Sequence, residues 1–89
     1  MALLLITYDL NNPGQNYEDL YNEIKSYKIW WHHLDSTWII KTEKSASEVR
    51  DHLGKHIDLN DELLIVKIDS WAGKGFKDRA YKWLHNNKG

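Results

Sequence analysis

Asp9 is the residue best placed to do chemistry. It follows the apolar run Leu3-Leu4-Leu5-Ile6-Thr7-Tyr8 and precedes the turn Asn11-Asn12-Pro13-Gly14. A near-continuous apolar run reads as a strand covered on at least one face. Asp9 is thus expected at the carboxyl end of a central strand, a position where α/β folds often carry chemistry. A carboxylate there can ligate a divalent cation. It can equally bond the backbone of Asn11 or Asn12, since Asp commonly organises a turn in this way.

Other residues with chemical potential occur in pairs. His32 and His33 are adjacent, so on a strand they point to opposite faces and do not chelate one ion together. His52 and His56 are four apart and share a helix face. A zinc-protease pattern would need Glu directly after the first His, where Leu53 stands, and local spacing supplies no third ligand. That pair reads as an exposed polar face. Gly73-Lys74-Gly75 is too short for a phosphate-binding P-loop. Beside Trp71 and Phe76, Lys74 and Lys77 still offer charge and stacking to a nucleotide. The favoured reading of the glycines is a hinge into the last helix. Without cysteine there is no thiol nucleophile and no disulfide framework.

The elements that must hold these residues follow from periodicity. Strand one spans about Leu3 to Tyr8. Tyr17, Leu20, Ile24 and Tyr27 recur at helical steps and predict helix one over Tyr17 to Tyr27. The β-branched and aromatic run from Lys28 to Lys41 predicts a hairpin, with arms Ile29–His33 and Thr37–Thr42 around Leu34-Asp35-Ser36. Ser45-Ala46-Ser47-Glu48 fits a capping box. Helix two follows to about Ile57, weakened at Gly54. Glu62 to Asp69 is the fourth strand, and Lys77 to about His85 a last helix. The order β-α-β-β-α-β with a terminal helix predicts an α+β, ferredoxin-like sandwich: an antiparallel sheet with two helices on one face. The other face stays open unless the terminal helix or a second copy covers it.

The 89-residue length fits a single domain spanning 1–89. Domains this small are often helped by oligomerisation. Five Trp and five Tyr exceed what a small core readily encloses, which favours a partner surface, with a homodimer expected. Trp30, Trp31 and Trp38 are the expected interface residues. The net charge of -1 disfavours strong nonspecific nucleic-acid binding. The tail is locally basic, with Lys74, Lys77, Arg79, Lys82 and Lys88 against Asp78. A solvated helix face is the preferred reading of that cluster, ahead of an anionic partner. The chain has no run long enough for a membrane helix and no signal-peptide pattern, so no membrane partner and a cytoplasmic location are expected.

Leu4-Leu5-Ile6-Thr7-Tyr8-Asp9-Leu10, the segment from Trp30 to Trp38 and Asn60-Asp61-Glu62-Leu63-Leu64 together resemble the small bacterial and phage proteins called SinR-like, over most of the chain. A first strand ending in Tyr-Asp, in a chain of this length and order, is also similar to the CRISPR-associated adaptation nucleases and the virulence-associated protein D ribonucleases. Ser36-Thr37-Trp38 is similar to a Ser-Val-Phe segment of that nuclease group. The resemblance implies a homodimer in which Asp9 of each copy faces a shared metal, Mg²⁺ or Mn²⁺, for nuclease chemistry in phage or bacterial defence. Mg²⁺ suits a site of one or two carboxylates, and paired carboxylates otherwise repel. Leu10 to Gln15 carries no basic residue. Together with the near-neutral charge, this tips the expectation toward a non-catalytic binding or regulatory module for a protein or nucleotide partner. The metal-dependent nuclease is the alternative.

Overall fold

The computed structural model describes residues 1–87. Lys88, counted in the basic tail, lies outside them. The elements run β1 (Ala2–Asp9), α1 (Glu18–Lys25), β2 (Trp30–Leu34), β3 (Thr37–Thr42), α2 (Ala46–Leu53), a 3₁₀ turn (Gly54–His56), β4 (Glu62–Lys67) and α3 (Asp78–Asn86). The fold is α+β. The four strands form one antiparallel sheet in the order β2-β3-β1-β4.

Each element follows from local chemistry. β1 is the central apolar strand because it pairs on both edges, with β3 and β4. Ser45 and Glu48 form the expected capping box, each side chain bonded to the other's backbone N–H. The helix tightens to 3₁₀ at Gly54, earlier than the periodicity suggests, so α2 ends at Leu53. Asp35 and Ser36 make the hairpin turn. β2 carries a register shift between Trp31 and Leu34, an extra residue that sends successive side chains to one face.

The sheet separates two cores. Leu4, Ile6 and Tyr8 of β1 join Trp38 and Ile40 of β3, and they meet Leu20 and Ile24 of α1 and Val49 and Leu53 of α2. The opposite face holds Leu3, Trp31 and Ile39 beneath Ala80 and Leu84 of α3. The terminal helix therefore covers the β2–β3 half of the face that the sequence leaves open. The β1–β4 half lies beyond it. Cross-strand partners share a face, so Leu5 and Val66 lie side by side there, as do Thr7 and Leu64, and Asp9 and Glu62. Val66 is 42% exposed and Leu64 58%. Among the described residues, no helix is long and apolar enough to cross a membrane.

Candidate functional site

Asp9 lies where the sequence puts it, exposed at the end of β1. Its direct cross-strand neighbour is Glu62, so two carboxylates share the same end of the open face. Among the described residues the Asp9 carboxylate takes no hydrogen bond; only its backbone carbonyl accepts one, from Asn11 Nδ2 at 3.3 Å. The turn-organising role belongs to Asp61 instead. Asp61 Oδ1 accepts from the Asn11 amide at 2.7 Å and from the Tyr17 hydroxyl at 2.9 Å. Its Oδ2 accepts from the Asp58 amide at 2.8 Å. Burial pushes this carboxyl upward. The amides of Asn11 and Asp58 and the Tyr17 hydroxyl outweigh that and hold it below the usual Asp value. Asn12 Nδ2 completes the clasp, reaching Asp58 at 2.9 Å and the Asn60 side chain at 2.7 Å. This network ties the turn after Asp9 to the Asp58–Asp61 loop before β4, and none of its hydrogen bonds uses the Asp9 carboxylate.

The three tryptophans expected at an interface part ways. Trp38 is 1% exposed and donates its indole N–H to the Tyr8 hydroxyl at 3.0 Å. Trp31 is 3% exposed and donates to the Ala80 carbonyl at 3.2 Å. Both are occupied by the chain's own cores, since each face of the sheet is covered at that point. Trp30 remains accessible, with Lys25 Nζ 5.6 Å from its ring. The histidines flanking them divide as alternation requires. His32 stacks on Trp38 at 3.6 Å, and His33 packs on Trp31 at 4.9 Å across the sheet.

The predicted binding segment folds onto α3. Trp71 is half-buried, 6.4 Å from the Tyr81 ring and 5.3 Å from His85. Phe76 packs edge-on against Trp31 and Tyr81, and its amide donates to the Tyr81 hydroxyl at 3.2 Å. Gly73 passes so close that an added Cβ would meet Phe76 and Tyr81 at 3.1 Å. Glycine lets the loop lie close here without displacing those two rings. Trp71, Gly73 and Phe76 help line an apolar recess of about 180 Å³ between the loop and the sheet. Lys74 and Lys77, next in sequence to the lining residues Gly73 and Phe76, are exposed. Burial holds the nearby His33 imidazole below its usual pKa, and the positive charges of Arg79 and Lys77 add to that. The corner is thus basic over an aromatic floor.

A second constellation lies on the outer side of the helical layer. Glu23 of α1 faces His52 and His56 at the end of α2. Glu23 Oε1 is 2.8 Å from His52 Nε2 and 3.8 Å from His56 Nε2. The hydrogen bond from His52 holds the Glu23 carboxyl below its ordinary pKa, against the effect of burial. The sequence marks the histidine pair but gives no sign of Glu23, because that contact spans 29 residues. No family model matches the chain. No solved structure matches it either.

Proposed function

We propose that this chain is a ferredoxin-like, cytoplasmic binding module that works as a homodimer joined through β4. The observation that carries the reading is the free edge of that strand. Ile68 donates its amide to Leu3 on the β1 side. By the alternation of an antiparallel ladder, Leu63, Ile65 and Lys67 then direct their backbone groups away from the sheet. An unpaired edge lined by apolar residues is a ready template for pairing. Leu64 and Val66 form such a lining, continuous with Leu5 on β1. Two-fold pairing centred on Ile65 would set Leu64 against Val66 of the partner subunit and cover both. The basic corner of Lys74, Lys77 and Arg79 over Trp71 and Phe76 would then remain free for an anionic partner, a nucleotide or an acidic protein segment.

Sedimentation equilibrium at micromolar concentration tests the dimer. The expected mass is twice that of the 10.6 kDa chain. Val66→Lys places a charge in the middle of the pairing edge and should return the monomer mass with the fold intact. A wild-type monomer at those concentrations refutes the reading.

The nuclease alternative keeps one specific support: the uncommitted Asp9 carboxylate opposite Glu62. These two carboxylates are the residues that would hold Mg²⁺ or Mn²⁺, and the ion would supply an activated water. The readings divide on dimer geometry. Pairing through β4 would leave the two Asp9 residues more than about 20 Å apart, three residues of strand on either side of the axis. A shared metal needs the open faces to meet instead. Asp9→Asn should abolish metal-dependent cleavage if the alternative holds. A wild-type protein that shows neither cleavage nor metal-dependent stabilisation by Mg²⁺ or Mn²⁺ excludes it.

A further inference from the structure

We infer that Glu23, His52 and His56 form a binding site for a divalent transition-metal ion of the zinc class, one that staples α1 to α2. The inference is independent of the dimer and of Asp9. One carboxylate and two imidazoles offer ligand atoms that all lie within 4.8 Å of one another. A tetrahedral ion with bonds of about 2.0–2.1 Å needs neighbouring ligand atoms about 3.3 Å apart. The two separations from Glu23 Oε1, 2.8 and 3.8 Å, bracket that value. Small side-chain rotations would equalise them. A simple ion pair accounts for the His52 contact, but it does not require a second imidazole beside the same oxygen.

The surroundings match what a metal-bound histidine needs. The Tyr27 hydroxyl lies 2.6 Å from His52 Nδ1. Without an ion, Nε2 carries the proton it donates to Glu23 and the Tyr27 hydroxyl donates to Nδ1; with an ion on Nε2, the proton sits on Nδ1 and the Tyr27 hydroxyl accepts it. An outer partner of this kind fixes the tautomer and raises ligand basicity. The backbone contributes too. His52 stands in the last turn of α2 and His56 at the end of the 3₁₀ segment, so the helical spacing keeps both rings on one side. All three side chains are about one-third exposed. The site is therefore reachable from solvent, and water can complete the coordination. Imidazole ligands favour Zn²⁺, Cu²⁺ or Ni²⁺ over Mg²⁺ and Ca²⁺, which prefer oxygen.

Titration of tag-free, full-length protein with ZnCl₂ in a calorimeter tests the site. One ion should bind per chain, and the melting temperature should rise with Zn²⁺ but not with Mg²⁺. Glu23→Gln and His56→Ala should each weaken Zn²⁺ binding at least tenfold while retaining the wild-type far-ultraviolet spectrum. Tyr27→Phe should weaken it about tenfold, as loss of an outer partner does. His85→Ala, on the other side of the molecule, should leave it unchanged. Co²⁺ used alone gives an independent readout, with visible absorption bands that disappear in His56→Ala. Absence of a saturable Zn²⁺ isotherm in the wild type overturns the inference. So does an affinity that Glu23→Gln and His56→Ala leave untouched.

Discussion

Replacing Trp31 by alanine separates a core tryptophan from an interface tryptophan. The ring is almost wholly buried in the monomer, with Leu3 and Ile39 beside it and Ala80 and Leu84 above. Removing a buried Trp side chain costs about 3–5 kcal/mol, and loss of the indole bond to Ala80 accounts for about 1 kcal/mol of such a figure. A cost of about 4 kcal/mol is a large part of the roughly 5–15 kcal/mol that stabilises a domain. At about 4–8 °C per kcal/mol, the melting temperature should fall by about 15–30 °C. Trp31→Phe keeps an aromatic ring and loses the N–H, so it should cost about 1 kcal/mol. Trp30→Ala provides the contrast: that residue is 37% exposed against 3% for Trp31, so its loss should cost less. Urea denaturation followed by circular dichroism measures all three. Hydrogen exchange adds location: α3 amides should lose protection first in Trp31→Ala, because Trp31 is the sheet's bond to that helix. An unchanged urea midpoint with weakened self-association would refute the reasoning and restore Trp31 to the interface.

Two further outcomes follow from the loops. The Asp61 carboxyl titrates below its ordinary value, so its stabilisation is complete above the unfolded Asp pKa and is lost as pH falls through the folded one. The gap in melting temperature between wild type and Asp61→Asn should therefore be widest near pH 7 and close toward pH 2; a gap independent of pH would contradict the network around Asn11, Tyr17 and Asp58. At the basic corner, Lys74→Ala should weaken binding of a single-stranded oligonucleotide modestly, and binding should fall as salt rises. Trp71→Ala, at a half-buried ring, should lower stability by about 1–3 kcal/mol in the same preparations; tight binding that persists at high salt would mean more than charge acts there.

Much of the fold is legible in the sequence because its signals are local. The apolar run before Asp9, the Ser45–Glu48 box and the turn at Asp35-Ser36 each declare themselves within a few residues. Layer assignment is not local. Alternation sends the adjacent Trp30 and Trp31 to opposite faces of the sheet, and it does so here: Trp30 lies 5.4 Å from Trp38, whereas Trp31 reaches the other face. It does not say that α3 returns to cover Trp31, so that ring reads as available to a partner when it is buried. The functional carboxylates are obscured for a similar reason. Asp9 and Asp61 are both Asp residues beside turns. Only the approach of Asn11 and Tyr17, 50 and 44 residues away from Asp61, decides which one organises the turn. Glu23 is one acidic residue on an amphipathic helix until packing brings it to His52.

Once the chain's own packing is accounted for, the surfaces proposed above for partners lie in distinct places. α1 and α2 account for Trp38 and Tyr8, and α3 accounts for Trp31 and Phe76. Exposed apolar side chains include Leu64 and Val66 on the β1–β4 strip; Trp30, Leu34 and Leu59 are exposed elsewhere. Exposed charge is spread over the surface, and it includes Lys74 and Lys77 beside the aromatic loop and Asp9 with Glu62 at the end of the strip. The strip lies on the open sheet face, whereas Glu23, His52 and His56 lie beyond the helices on the opposite side. A Zn²⁺ ion bound there would tighten α1 on α2 without touching the strip. Self-association should consequently be indifferent to Zn²⁺, and Val66→Lys should separate the subunits without altering the Zn²⁺ isotherm. Association that depended on Zn²⁺ would instead mean that ions bridge histidines between copies, and the intramolecular staple would lose its support.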